Sequence, residues 1–247
     1  MHKLEMLLVP YKATNRKVRY GPREDAGYVV IDGVFSSSMP LITFGVGDNI
    51  DFEIQVGEKH KSSVICYDQE PQGYFCRKYP VFCSSPVGSE HKLTEQVTYK
   101  KLHASKENIS QILPKEGEYV LKMDIEGAEW DVIRNIPEEA MSRMVMLVVE
   151  YHLGQKHRET GSIDELEDVF VKLNKSHKLV HVHGNNYEPF YVTGTRLPSV
   201  LECCYVSKFS NLAKDSIDTG DYPIIGIDAP NNRYAVDLPL DWWKTVQ

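Results

Sequence analysis

The sequence predicts an α/β fold built on a mostly parallel, doubly wound sheet. Short apolar runs of strand length alternate with longer amphipathic stretches, the pattern of strand–helix–strand units. Several of these runs are near-continuous in Val, Ile and Leu, as expected of strands covered on both faces. At 247 residues the chain is long enough for one domain with a single sizeable core. In order, strands are expected at 41–47 (LITFGVG), 63–68 (SVICYD), 80–85 (PVFCSS), 119–124 (YVLKMD) and 144–152 (MVMLVVEYH), with two more at 179–184 (LVHVHG) and 200–208 (VLECCYVSK). Helices are expected around 50–59, 71–78, 106–113, 127–135 and 163–175. In the last of these Ser162 and Glu165 read as a capping box, and Ile163, Leu166, Phe170 and Leu173 recur at helical spacing. The final two strands are joined by GNNYEPFYVTGTRLPS, which has no helical period, so the sheet is expected to end antiparallel.

Composition excludes some classes of partner. The net charge of −7 argues against nucleic acid, and the basic patches are short: Lys12, Arg16, Lys17 and Arg19, then Lys100 and Lys101. No apolar stretch approaches the ~20 residues needed to span a bilayer, and MHKLEMLLVP is a poor signal peptide. Cys66, Cys76, Cys83, Cys203 and Cys204 form no CxxC pair and leave an odd one out, which reads as free thiols in a reducing compartment. A soluble, cytoplasmic protein without a membrane partner is expected.

In an open α/β sheet, ligands bind beyond the carboxyl ends of the strands. The first such end is FGVGDNIDFE, where Gly45, Val46, Gly47 and Asn49 form a turn able to approach a ligand closely. Asp51 and Glu53 in the next helical turn would repel a pyrophosphate. An uncharged or cationic ligand suits the turn better, such as the sulfonium nucleoside S-adenosylmethionine. After the second strand Asp68, followed by Gln69, stands about twenty positions beyond the turn, where a ribose-binding carboxylate is expected. Ser84 and Ser85 follow the third expected strand and offer small polar contacts to an adenine edge. The plain readings are a strand–helix turn for the glycines and a turn cap for Asp68.

The run LKMDIEGAEWDVI (121–133) resembles the signature of FkbM-type S-adenosylmethionine-dependent methyltransferases, K-[IM]-D-[IV]-E-G-x-E. RYGPREDAGYVV, FGVGDNIDFE and YDQEP agree with it, and the first of these is similar to a eukaryotic methyltransferase-like subgroup. The resemblance covers residues 19–152. Two departures stand out: Ala26 where the subgroup has Gly, and GVGDN in place of a more glycine-rich turn. The resemblance implies a Rossmann-like class I methyltransferase fold of about seven strands, with the cofactor across the first three strand ends, and O-methylation of sugars or secondary metabolites. It places Asp124, Ile125 and Glu126 at the cofactor, with Arg23 and Tyr28 in a segment that covers it. One domain, 1–247, then divides into a covering extension (1–40), a core (41–208) and a tail (209–247).

An alcohol must lose its proton to accept a methyl group, either to a general base or with the help of a divalent metal. Glu150 and His152, two apart on the fifth strand, share a face beside Asp124. His152 is expected as the base, with Glu150 or Asp124 orienting it. The alternative makes Asp124 and Glu150, with or without His152, ligands of Mg²⁺ or Mn²⁺. Glu129 reads as a helix-start carboxylate, and Trp130 and Ile133 as core. His183, Asn185 and Asn186, in a polar and aromatic stretch, are expected to bind a small-molecule or glycan acceptor, a deoxysugar such as rhamnose being one guess. Two other classes remain open. One is a glycoside hydrolase using Asp124 and Glu126 as a carboxylate pair; the other is an inactive cofactor-binding module.

Overall fold

The computed structural model describes residues 2–245. A short helix α1 (Lys3–Leu7) leads to β1 (Tyr11–Ala13) and to a hairpin of β2 (Lys17–Tyr20) and β3 (Tyr28–Ile31). β4 (Leu41–Phe44), α2 (Asp51–His60) and β5 (Val64–Tyr67) follow, then two short helices, α3 (Gly73–Lys78) and α4 (Pro80–Ser84). β6 (Glu90–Lys92), β7 (Val97–Lys100) and α5 (Ile109–Ile112) precede β8 (Tyr119–Met123). α6 (Glu129–Asn135), α7 (Glu138–Arg143), β9 (Met144–Tyr151), α8 (Leu153–Thr160) and α9 (Glu167–Ser176) come next. β10 (His177–Gly184), β11 (Leu201–Ser207) and β12 (Ala213–Ile217) are the last strands.

Eight strands form one sheet in the order β10-β11-β9-β8-β4-β5-β7-β6. β4, β5, β7, β8 and β9 run parallel, β11 is antiparallel to both its neighbours, and β6 is antiparallel to β7. The chain winds from β4 outward through β5 to β7, then returns to β8 on the other side of β4. That reversal makes the β4–β8 boundary the switch point where a crevice opens. β4, β8, β9 and β11 are buried along their whole length, which is why they read as unbroken apolar runs. Two core clusters cover the two faces, one centred on Phe44, Trp130, Tyr151 and Phe170, the other on Phe52, Val56, Phe75 and Tyr99.

The chain departs from expectation in four places. Residues 80–85 are not a strand: Pro80 starts α4, where its missing N–H and fixed φ suit a first helical turn, and Phe82 packs on Tyr99 and Phe75. The third parallel strand is β7, whose half-exposed VTYK gives little apolar signal. The cysteines are not all thiols, because Cys76 and Cys83 form a disulfide between α3 and α4, while Cys66, Cys203 and Cys204 are buried and free. This bridge removes the ground on which a reducing compartment was expected. Finally, Ser162 Oγ accepts from Asp164 N in a 3₁₀ turn before α9, and Glu165 pairs with Lys156 rather than closing a capping box. The antiparallel end of the sheet is as expected. No helix among the described residues is long and apolar enough to cross a membrane.

His177, at the start of β10, is buried and neutral: Nε2–H donates to Met144 O (2.8 Å) and Nδ1 faces Ser176 Oγ (2.8 Å). Burial pushes its pKa down to about 4. Because the folded value lies below the unfolded ~6.5, its contribution is complete above that pH and is lost as pH falls toward 4. The shift corresponds to about 3 kcal/mol. Urea midpoints are therefore expected to fall between pH 6.5 and pH 4, and His177→Gln should flatten that slope.

Candidate active site

Where β4, β5, β7 and β8 end, a cleft of about 420 Å³ opens. Two strand tips meet at its base. Gly45 takes φ +78°, and a Cβ there would stand 1.6 Å from the Asp124 carbonyl oxygen, so the residue is glycine because β4 and β8 touch. Gly47 takes φ +60° with open space around it. Asp68 holds this turn: Oδ2 accepts from Val46 N (2.8 Å) and Gly47 N (2.9 Å), and Oδ1 accepts from Glu70 N (2.7 Å). Three of the roughly four acceptor sites of the carboxylate are thus in use, and Asp68 is a turn cap as well as part of the cleft wall.

Of the residues expected at a cofactor, Gly45, Gly47, Asp68, Gln69, Asp124, Ile125 and Glu126 line the cleft. Val46 contributes through its backbone N–H to Asp68. Five are placed elsewhere. Asn49 Oδ1 accepts from Asp51 N at the start of α2. Ser84 and Ser85 end α4 and donate to carbonyls of that helix, a consequence of the missing strand at 80–85. Arg23 reaches Gly226 O and Asp228 O, tying the extension to the tail. Tyr28 is buried behind Asp124 and donates to its Oδ2 (2.7 Å). Tyr67, Glu70, Gln72, His103 and Ala104 line the cleft unannounced. His103 and Ala104 follow β7, so recognising that strand would have found them.

Asp124 stands at the cleft floor with Oδ1 closed off from solvent and without a hydrogen-bond partner. Lys122, buried one alternation back on β8, donates to Gly45 O (2.7 Å) and lies 3.9 Å from Asp124 Oδ2 and 4.0 Å from Glu53. Burial works against the Asp124 carboxylate, but Lys122, His152 and Tyr28 outweigh it and hold its pKa below the usual range. Glu150, beside it, is pushed well up by burial and by the charges of Asp124 and Glu202.

His152 is held between carboxylates: Nδ1 to Glu129 Oε1 (3.0 Å) and Nε2 to Glu126 Oε2 (3.2 Å). Burial opposes its charge, yet the bonds to Glu126 and Glu129 prevail and push its pKa up to about 12. Both ring nitrogens are occupied by acceptors, so as placed His152 is an imidazolium and not the free base expected. Glu129 is no solvated helix start either. Fully buried, its Oε1 also accepts from Ile125 N and Gly127 N (both 3.1 Å), clamping a turn in which Glu126 takes φ +55°.

The residues expected to bind an acceptor are buried and engaged. His183 lies between Glu202 (3.0 Å) and Asp237 (3.0 Å). Asn185 donates to Glu150 Oε1 (2.8 Å). Asn186 donates to three tail carbonyls and accepts from Asn232 N. Asn185 supports the site; Asn186 and His183 fasten the tail over it.

A family model described as "Methyltransferase FkbM domain" matches residues 36–187. The chain belongs to the FkbM methyltransferase family. A carboxylate-pair hydrolase is thereby set aside, and Glu126, 85% exposed, turns to His152 rather than pairing with Asp124. No curated protein matches the chain. Among solved structures it is similar to a 23S rRNA methyltransferase, ErmE (9% identity, 71% of this chain and 64% of that one, TM-score 0.43). It is also similar to the N-methyltransferase NodS from Bradyrhizobium japonicum WM9 (12%, 68% and 85%, 0.39) and to a fibrillarin pre-rRNA processing protein of Methanococcus jannaschii (12%, 70% and 67%, 0.41). The chain thus spans under two thirds of ErmE.

Glu129→Ala leaves two half-buried N–H groups and the His152 ring without their acceptor. Thermal or urea denaturation is expected to register a loss of about 2–4 kcal/mol, and Glu129→Gln should recover part of it.

Proposed function

We propose that this protein is an S-adenosylmethionine-dependent O-methyltransferase acting on a hydroxyl of a sugar or another small polyhydroxylated molecule. The observation that carries the reading is the cleft at the sheet's switch point with the buried, unpartnered oxygen of Asp124 at its floor. The residues fit the cofactor. A volume of about 420 Å³ lies within the range of small-molecule sites, and the carboxylates around the floor suit a cation. When bound, S-adenosylmethionine supplies a methyl group on a positively charged sulfur.

Gly45, Gly47, Asp68 and Gln69 form the wall for a ribose, and Tyr67, His103 and Ala104 the wall for a base. Asp68 meets a sugar diol with the acceptor capacity its turn leaves over. Asp124, Glu150 and His152 activate the acceptor hydroxyl as a group, because His152 alone has no free ring nitrogen. Alignment of the hydroxyl oxygen with the methyl carbon supplies much of the rate.

Two features support a carbohydrate-like acceptor over a nucleic acid. Tyr187, Phe190 and Tyr234 are well exposed around the clamp that Asn186 makes with the tail, and such rings offer apolar faces with polar tips. Glu70 and Glu126 border the cleft, and the chain carries −7 overall, which disfavours a polyanion.

Transfer of tritium from labelled cofactor to a panel of sugars, glycans and RNA tests the proposal. Label in a hydroxyl-bearing sugar is expected, whereas label in RNA alone, or no binding of the cofactor by calorimetry, would refute it. Asp124→Asn should lower transfer ~10²-fold or more and weaken cofactor binding as well, because the floor loses a carboxylate that faces the cationic sulfur. Asp68→Ala should cost at least about tenfold in cofactor affinity, since a charge-assisted acceptor and the cap of the glycine turn are lost together.

A further inference from the structure

Asp124, Glu150 and His152 each offer one ligand atom, and these atoms lie within 4.8 Å of one another. Glu150 is about nine-tenths buried, and the Oδ1 of Asp124 is closed off from solvent with no donor bonded to it. Two carboxylates placed side by side draw a positive charge between them. Lys122 compensates Asp124 from the side of Oδ2, at 3.9 Å, and leaves Oδ1 to face another cation.

The surrounding residues present these three as ligands are presented. Asn185 fixes Glu150 through Oε1 (2.8 Å), and Tyr28 fixes Asp124 through Oδ2 (2.7 Å). The fully buried Glu129 accepts from Nδ1 of His152 at 3.0 Å. A carboxylate on one ring nitrogen fixes the tautomer and leaves the other nitrogen for a metal. That other nitrogen, Nε2, is covered only by Glu126, whose side chain is 85% exposed at the rim and free to turn away.

We propose that Asp124, Glu150 and His152 bind one divalent cation, Mg²⁺ or Mn²⁺, which holds the acceptor hydroxyl. The inference rests on the O-methyltransferase reading for its purpose, not for its geometry. Adjacent ligands on an octahedral ion at ~2.1 Å stand about 3 Å apart, within reach of small rotations of three side chains that already face one another. Two oxygens and one imidazole nitrogen suit Mn²⁺ in particular. Three ligands on one face leave three positions for water and the acceptor oxygen. A hydroxyl held there becomes more acidic: its O–H bond breaks, the electron pair stays on oxygen, and the proton passes to the displaced Glu126 carboxylate.

Titration of the full chain with Mn²⁺, followed by electron paramagnetic resonance without cofactor, tests this. One ion per chain is expected, displaced by Mg²⁺. Glu150→Gln should abolish binding, and Glu129→Gln should weaken it about 10–100-fold. Should either variant fail to fold, wild-type NMR gives the same answer, because bound Mn²⁺ must broaden the His152 ring protons and spare those of His177. No binding at millimolar Mn²⁺, or binding that leaves His152 sharp, overturns the proposal. Calorimetry with S-adenosylmethionine separates the two readings: a chain that binds the cofactor but fails to bind Mn²⁺ removes the cation and leaves the methyltransferase, and one that binds Mn²⁺ but fails to bind the cofactor does the reverse.

Discussion

The cleft depends on one buried lysine. Lys122 sits at the end of β8 almost without solvent, and its ammonium group joins three parts of the fold at once: the carbonyl of Gly45 on the glycine turn, the carboxylate of Asp124 and that of Glu53 on α2. The ring of Tyr28 lies beneath it at 4.9 Å. Burial would drive the proton off this lysine, but Asp124, Glu53 and Glu150 more than compensate and raise its pKa. Without that charge, Glu53 would be an uncompensated group in the core and Asp124 would lose the largest of its supports, and an unpaired buried charge is among the costlier defects a fold can carry. The basic residue of the signature thus compensates the aspartate two positions on, together with a glutamate of α2.

From this centre a polar row extends across the sheet. Glu150 on β9 opposes Glu202 on β11, and Glu202 opposes His183 on β10, so three neighbouring strands carry charged groups at one level and on one face. The chain termini close over the row: Asn231 donates to both Asp25 and Glu202, and Asp237 takes the outer nitrogen of His183. The extension and the tail are therefore bonded to each other as well as to the sheet. The residues of this row are tolerated because Glu150, Glu202 and His183 each have a partner within hydrogen-bonding distance.

The sheet was legible wherever both faces are covered. β4, β5, β8, β9, β10 and β11 announce themselves as apolar runs, and the switch point follows from their order. β7 was not legible, because it is four residues long with alternate positions half exposed. The apolar run at 80–85 misled because two aromatic helices pack there, and a short buried run looks alike in either state. At the site, the residues of the glycine turn, the second strand tip and the DIEG run were legible from local spacing. The partners of His152 were not: Glu129 is 23 positions away, and only the fold brings it to Nδ1. Asn186 misled for the same reason, since its hydrogen bonds go to carbonyls some fifty residues downstream.

One wall of the cleft is stitched together from weak pieces. Gln72 N and Phe75 N bond to Gly47 O and Asp48 O, hanging α3 from the glycine turn. α3 has six residues and α4 five, lengths at which a helix does not sustain itself in water. The covalent link between Cys76 and Cys83 clasps the two into one unit, aided by Phe75 and Phe82. Material produced in a thiol-rich host cytosol would lack this clasp, so the oxidation history of a sample belongs with any affinity measured on it.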